Sequence, residues 1–128
     1  MIVVDTSVWI CAFRSSSSRE TEVLGALLDA DEVALAVPVR IEILSGASKR
    51  DRVRLRRVLS ALPVLYPTDE TWRLIDSWID RSGPAGQRFG VGDLLIAALA
   101  RETGGLLWSL DADFFRMARL GFVDLYAP

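Results

Sequence analysis

The chain is punctuated by short runs that are apolar at every position: Ile2-Val3-Val4, Val33-Ala34-Leu35-Ala36-Val37 and Leu106-Leu107-Trp108. Successive side chains of a strand point to opposite faces, so a half-exposed strand alternates apolar and polar residues. These runs do not alternate. Each must therefore be covered on both faces, which is the condition of a parallel sheet held between helical layers. Val64-Leu65-Tyr66 and Phe122-Val123-Asp124-Leu125 are two further strand candidates. A length of 128 residues leaves room for one domain, so residues 1–128 are expected to form a single three-layer α/β domain with helices on both faces of the sheet. A hydrophobic content of 51% supplies the apolar area for such a core and excludes intrinsic disorder.

The intervening stretches read as helices. Val23, Leu24, Leu27 and Leu28 recur at helical spacing after the polar run Ser15 to Ser18. Pro38 opens a helix to about Ser45, and residues 49–62 form a basic helix with Val53, Leu55, Val58, Leu59 and Leu62 as its apolar stripe, closed by Pro63. From Thr71, the residues Trp72, Ile75, Trp78 and Ile79 share one face, which predicts that the tryptophans enter the core. A loop rich in glycine runs from Ser82 to Gly92. Asp93 then opens an alanine-rich helix with so little polar surface that it must be covered on most sides, and a last short helix runs to Arg119.

The absence of histidine restricts the chemistry more than any residue that is present. Imidazole is the usual general base near neutral pH and the commonest zinc ligand, so Ser-His-Asp hydrolysis, Cys-His proteolysis and His-ligated zinc sites are all excluded. The single cysteine, Cys11, cannot form an internal disulfide and reads as a small buried apolar side chain. Net charge is −2, so no bulk positive field draws the chain to nucleic acid or membrane. No apolar stretch reaches the length of a membrane span and no basic segment precedes the first one, so a cytoplasmic location is expected.

In open parallel sheets, ligands bind beyond the carboxyl ends of the strands. Four acidic residues map there: Asp5 after the first strand, Glu42 in the helix after the second, Asp93 at the start of the apolar helix, and Asp111 after Leu106-Leu107-Trp108. Any one alone reads as ordinary helix capping. Together they would place several carboxylates in a poorly solvated nook with no lysine nearby in sequence. Such a cluster either takes up protons or binds a hard divalent cation through oxygen. A bound Mg²⁺ or Mn²⁺ activates water and removes the need for a histidine base, which leaves metal-assisted phosphoester hydrolysis.

Met1-Ile-Val-Val-Asp5-Thr6-Ser7, Pro38-Val-Arg-Ile-Glu42-Ile43, Asp93-Leu-Leu-Ile96-Ala97-Ala98 and Ser109-Leu-Asp111-Ala-Asp113-Phe114 follow the order and spacing of the PIN-domain nucleases. The chain resembles their VapC type, the toxin half of toxin–antitoxin pairs, over its whole length. The resemblance implies a PIN-like fold and a Mg²⁺- or Mn²⁺-dependent endoribonuclease, held inactive by a cognate antitoxin and commonly a homodimer. It also implies that Asp5, Glu42, Asp93 and Asp111 hold the metal and carry catalysis. Asp113 is then a supporting or capping residue, and Ser109 stands where the family more often has threonine. Thr6 and Ser7 could contribute a hydroxyl to water or phosphate, or merely cap the first helix.

Lys49-Arg50-Asp51-Arg52-Val53-Arg54-Leu55-Arg56-Arg57 concentrates positive charge, which makes Arg50, Arg54 and Arg57 candidate RNA contacts, with Arg88 and Arg81 flanking the glycine-rich loop. A solvated helix face is the plainer reading of such a run. No phosphate-binding glycine motif is present, and the residues after Asp111-Ala-Asp113 lack the ligands of a calcium loop. Two rival functions remain open: a non-catalytic RNA- or antitoxin-binding module, and a magnesium-dependent phosphatase or phosphotransfer domain using Asp5.

Overall fold

A computed structural model of the chain describes residues 1–83 and 88–128. In chain order its elements are β1 (Ile2–Val4), α1 (Thr6–Arg14), α2 (Arg19–Asp29), β2 (Val33–Ala36), α3 (Val37–Gly46), α4 (Lys49–Leu59), β3 (Val64–Leu65), α5 (Asp69–Ser82), α6 (Val91–Glu102), β4 (Leu106–Trp108) and α7 (Ala112–Arg119). The strands form one sheet in the order β3-β2-β1-β4, with all pairings parallel. Every residue of β1 and β2 is buried. Because their side chains alternate between the two faces, both faces are covered, as the unbroken apolar runs predict.

The register places Ile2 beside Val33 and Leu106, and Val4 beside Trp108. The three central strands thus end at nearly the same level, and the chain leaves each of them for a helix on the same edge. Two glycines fit β4 into the sheet. Gly104 adopts φ +69° just after the α6 C-cap, a left-handed position that favours glycine. At Gly105 a Cβ would lie 2.2 Å from the Met1 carbonyl oxygen, the same oxygen that accepts from the Leu106 amide at 3.1 Å.

The core runs through both layers. Leu94 and residues 96–100 of α6 are buried, and that helix packs on β1, β2 and β4 as well as on α3, α5 and α7. The alanines permit this close approach of helix to sheet. Trp78 stacks on Phe122 at 4.5 Å, and the Arg81 guanidinium covers the same ring from 5.0 Å.

Several local expectations are corrected. Val37 begins α3 instead of ending β2, because Pro38 fits the first turn of a helix and has no amide to give a strand. The segment 122–125 is not a strand: only Leu125 makes a β-bridge, to Leu107, while Phe122 and Val123 pack into the core. On α4, only Leu55 and Leu59 are buried, and Val53 and Val58 face solvent at 64% and 51%. On α5, Ile75 and Trp78 enter the core, whereas Trp72 and Ile79 remain 47% and 54% exposed. A narrow stripe, i, i+4 on α4 and i, i+3 on α5, suffices for these peripheral helices, so the outer apolar positions are left over. Part of the glycine-rich loop, with Pro84 and Gly86, lies outside the described residues.

Candidate metal and catalytic site

Four helix beginnings assemble the site. Asp5 is the N-cap of α1, Asp93 lies in the first turn of α6, Asp111 is the N-cap of α7 and Asp113 lies in its first turn. Three helix N-termini therefore present their positive dipole ends to the carboxylates, which partly offsets the mutual repulsion of the acids. Glu42 joins from α3, one helical turn beyond its start.

Asp5 is 5% exposed, and no cation pairs with it among the described residues. Its Oδ2 instead accepts three hydrogen bonds, from the Ser7 hydroxyl at 2.7 Å, the Ser109 hydroxyl at 2.8 Å and the Ser7 amide at 3.4 Å. Both serine protons are thereby directed at one oxygen, so the 3.3 Å approach of the two hydroxyls is a contact and not a further bond. The serine oxygens in turn accept from the chain after β4: Ser7 from the Leu110 amide at 3.0 Å, and Ser109 from the Asp111 amide at 2.9 Å. Asp111 Oδ1 then accepts from the Asp113 amide at 2.9 Å. This relay fixes the loop carrying Asp111 and Asp113 against the end of β1 and leaves Asp5 Oδ1 without a hydrogen bond among the described residues.

Carboxylate oxygens of Asp93, Asp111 and Asp113 all lie within 4.8 Å of one another. Partial burial pushes the Asp93 pKa up to about 6, and the charges of Asp111, Asp5 and Glu42 add to the rise in that order. Glu42 keeps much of its side chain in solvent, so its desolvation is less complete than its apolar neighbours predict. Partial burial and the charge of Asp5 still raise its pKa. The Thr6 hydroxyl lies close enough to oppose that rise, yet Thr6 Oγ1 is buried without a hydrogen bond of regular geometry. Asp93 thus lies within reach of the charges of Asp111, Asp5 and Glu42, and Glu42 within reach of that of Asp5.

The donor set fits a hard divalent cation. It consists of oxygen only, it includes one carboxyl whose pKa partial burial and neighbouring charge raise to about 6, and it borders the Thr6 hydroxyl, which is buried without a hydrogen bond of regular geometry. A dication here would be held by the close oxygens of Asp93, Asp111 and Asp113.

Asp113, a supporting or capping residue on the sequence reading, shares the close group with Asp93 and Asp111. Residues at an N-cap and two positions later can both turn back over the helix start. Asp113 also forms an ion pair with Arg116. Of the basic candidates, Arg50 and Arg54 line one hollow with Ser48 and Asp51, Arg57 and Arg88 are exposed, and Arg81 is engaged by Phe122 and the Leu120 carbonyl.

Known proteins share this fold and much of this sequence. The PIN domain family model matches residues 2–120. Ribonuclease VapC11 of Mycobacterium tuberculosis is 35% identical, over 94% of this chain and 93% of its own length. Ribonuclease VapC18 of the same organism is 32% identical over 91% and 87%. Among solved structures, DNA-bound VapBC from Salmonella typhimurium aligns with TM-score 0.80 at 18% identity, covering 98% of this chain and 96% of that one. Mycobacterium tuberculosis VapC20, a sarcin-ricin loop cleaving toxin, aligns with TM-score 0.65 at 20% identity, covering 99% and 100%. With one domain match across nearly the whole chain and a ribonuclease 35% identical over 94% of it, the chain belongs to the PIN-domain family and, within it, to the VapC ribonucleases.

Proposed function

We propose that the chain is a divalent-metal-dependent endoribonuclease that serves as the toxin of a toxin–antitoxin pair. The observation that carries this reading is the convergence of Asp93, Asp111 and Asp113 oxygens within 4.8 Å, with Asp5 and Glu42 charged against the same site, in a chain without histidine. Relatives named as ribonucleases, and fold neighbours captured as VapBC complexes, support it.

Asp93, Asp111 and Asp113 would hold the ion, with Asp5 Oδ1 and Glu42 completing the acidic wall; Mg²⁺ and Mn²⁺ are the ions that such a set prefers. When bound, the ion supplies Lewis acidity towards water and phosphate oxygens. The protein contributes position. Ser7 and Ser109 hold Asp5 in one orientation, the α7 N-cap holds Asp111, and the Thr6 hydroxyl lies beside Glu42. RNA is the substrate of this reading and a cognate antitoxin its protein partner, in the cytoplasm. No helix among the described residues is long and apolar enough to cross a membrane. Association with a second copy would cover Trp72 and Ile79, which are seven residues apart on one stripe of α5.

Purified protein is expected to cleave RNA with Mg²⁺ or Mn²⁺ and to stop on addition of EDTA. Substituting Asp5→Asn or Asp93→Asn should abolish cleavage and leave the circular dichroism spectrum intact. RNA that is bound yet never cut with either ion would favour the binding-module reading, and a trapped phospho-aspartate at Asp5 would favour phosphotransfer.

A further inference from the structure

Beside the acidic site, helices α1, α3 and α4 enclose a cleft of about 390 Å³ whose lining includes Ile10, Phe13, Arg14, Glu42, Arg54 and Leu55. Glu42 belongs both to this cleft and to the acidic site, so the two are continuous. The floor is apolar, and Phe13 stands at its edge with 51% of its surface exposed. Buried Trp9 backs that ring at 6.0 Å between centroids and holds it in place. Arg14 and Arg54 face the same cleft, and Arg50 lines the adjoining hollow with Arg54.

None of these three arginines forms an ion pair among the described residues, although elsewhere Arg73, Arg101 and Arg116 all do. Glu42 and Asp51 are the acidic members of the lining, and the Asp51 backbone amide donates to the Ser48 hydroxyl at 3.2 Å in capping α4. Unpaired arginines beside an exposed aromatic ring, next to carboxylates that handle a phosphodiester, match the chemistry of an unstacked nucleotide. Single-stranded nucleic acid is held by stacking of its bases on aromatic rings and by neutralisation of its phosphates.

We propose that this cleft is a nucleotide subsite, in which Phe13 stacks an unpaired base of the RNA while Arg14 and Arg54 hold its flanking phosphates, placing the next phosphodiester at the acidic site. The inference rests on the nuclease reading above and adds to it the residues that hold the base and phosphates beside the cleaved bond.

The test uses a fluorescein-labelled 20-nucleotide single-stranded RNA carrying 4-thiouridine, bound to the full chain bearing Asp93→Asn so that the RNA stays intact. Phe13→Ala is expected to weaken binding roughly tenfold and Phe13→Trp to preserve it. The pair Arg14→Gln with Arg54→Gln should lower the slope of log affinity against log salt by about 1.4, since each single-strand phosphate contact contributes about 0.7. The pair Arg56→Gln with Arg57→Gln removes the same charge from α4 outside the cleft and should do less. Ultraviolet crosslinks should map to Phe13 and its neighbours. Equal losses from the two arginine pairs, or crosslinks confined to other surfaces, would overturn the subsite. Unchanged affinity in every variant would do so as well and would leave the cleft to a protein segment. Cleavage by the unaltered chain with Mn²⁺ is followed in parallel: its absence defeats the nuclease reading, whereas cleavage combined with unaffected binding by the cleft variants defeats the subsite alone.

Discussion

The Ser109 hydroxyl donates to Asp5 Oδ2 at 2.8 Å, tying the end of β4 to the end of β1 across 104 residues of sequence. Ser109 is 7% exposed, so this bond is shielded from competing water. Without it Asp5 would retain Ser7 alone as its hydroxyl donor and could rotate Oδ1 away from the acidic site. Ser109→Ala is therefore expected to weaken metal affinity about tenfold, the usual effect of losing a group that orients a ligand. Ser109→Thr keeps the hydroxyl and should restore the affinity. Titration of Mn²⁺ into each variant, followed by calorimetry, checks both.

Asp93 is held at about 6 against an ordinary 3.8, so the folded chain disfavours its ionised form. The linkage follows from that direction: between roughly pH 4 and 6 the folded state retains a proton that the unfolded state has lost, and stability falls as pH rises through the folded pKa. Because the group is only partly buried, the effect at neutral pH is discounted to about 1–2 kcal/mol. Metal-free protein should thus melt higher at pH 5 than at pH 7.5. Asp93→Asn should raise the melting temperature at pH 7.5 by about 5 °C while eliminating cleavage. Saturating Mg²⁺ should remove most of the pH dependence of the unaltered chain. Scanning calorimetry at the two pH values with and without the ion provides the test, and a melting temperature lowered by Asp93→Asn at pH 7.5 would contradict the electrostatic account.

The parallel sheet was legible because burial on both faces leaves a sequence trace that half-exposed strands do not. The same logic located Asp5, Asp93 and Asp111, which follow those strands directly or open the helix with least polar surface. The relay from Asp5 through Ser7 and Ser109 to Asp111 was not legible, because it joins residues about a hundred positions apart and depends on the β1–β4 register. The outer faces of α4 and α5 misled for a related reason. Helical periodicity identifies an apolar stripe but not its buried width, so Val53, Val58, Trp72 and Ile79 belong to apolar stripes and yet meet solvent. Phe13 and Arg14 gained meaning only when α3 and α4 closed a cleft around them.

The close approach of Gly105 to the Met1 carbonyl makes a stability prediction independent of the site. A methyl group there would lie 2.2 Å from a backbone oxygen, far inside contact distance, and the oxygen cannot move without losing its bond from the Leu106 amide. Gly105→Ala should destabilise the fold by about 2 kcal/mol or more, whereas Gly25→Ala, where nothing lies within 4 Å of the added Cβ, should be neutral or slightly stabilising. Chemical denaturation of the two variants compares them directly.

Asp113 serves two partners in this arrangement. It shares the close group with Asp93 and Asp111, and it also pairs with Arg116 one turn along α7. An incoming dication must compete with that guanidinium for the same carboxylate, so the ion pair opposes metal binding even as it steadies the helix. As a partly exposed i, i+3 bridge it contributes only about 0–1 kcal/mol to the fold. Arg116→Gln should therefore leave the melting temperature of the metal-free protein nearly unchanged and tighten Mn²⁺ binding several-fold, by freeing Asp113 and removing a positive charge from beside the ion. Asp113→Asn should weaken binding, and in its presence Arg116→Gln should lose most of its effect. The double-mutant cycle measured by Mn²⁺ titration isolates that coupling: full additivity would show that Arg116 does not act on the ion through Asp113, and unchanged affinity in Asp113→Asn would show that Asp113 takes no part in holding the ion.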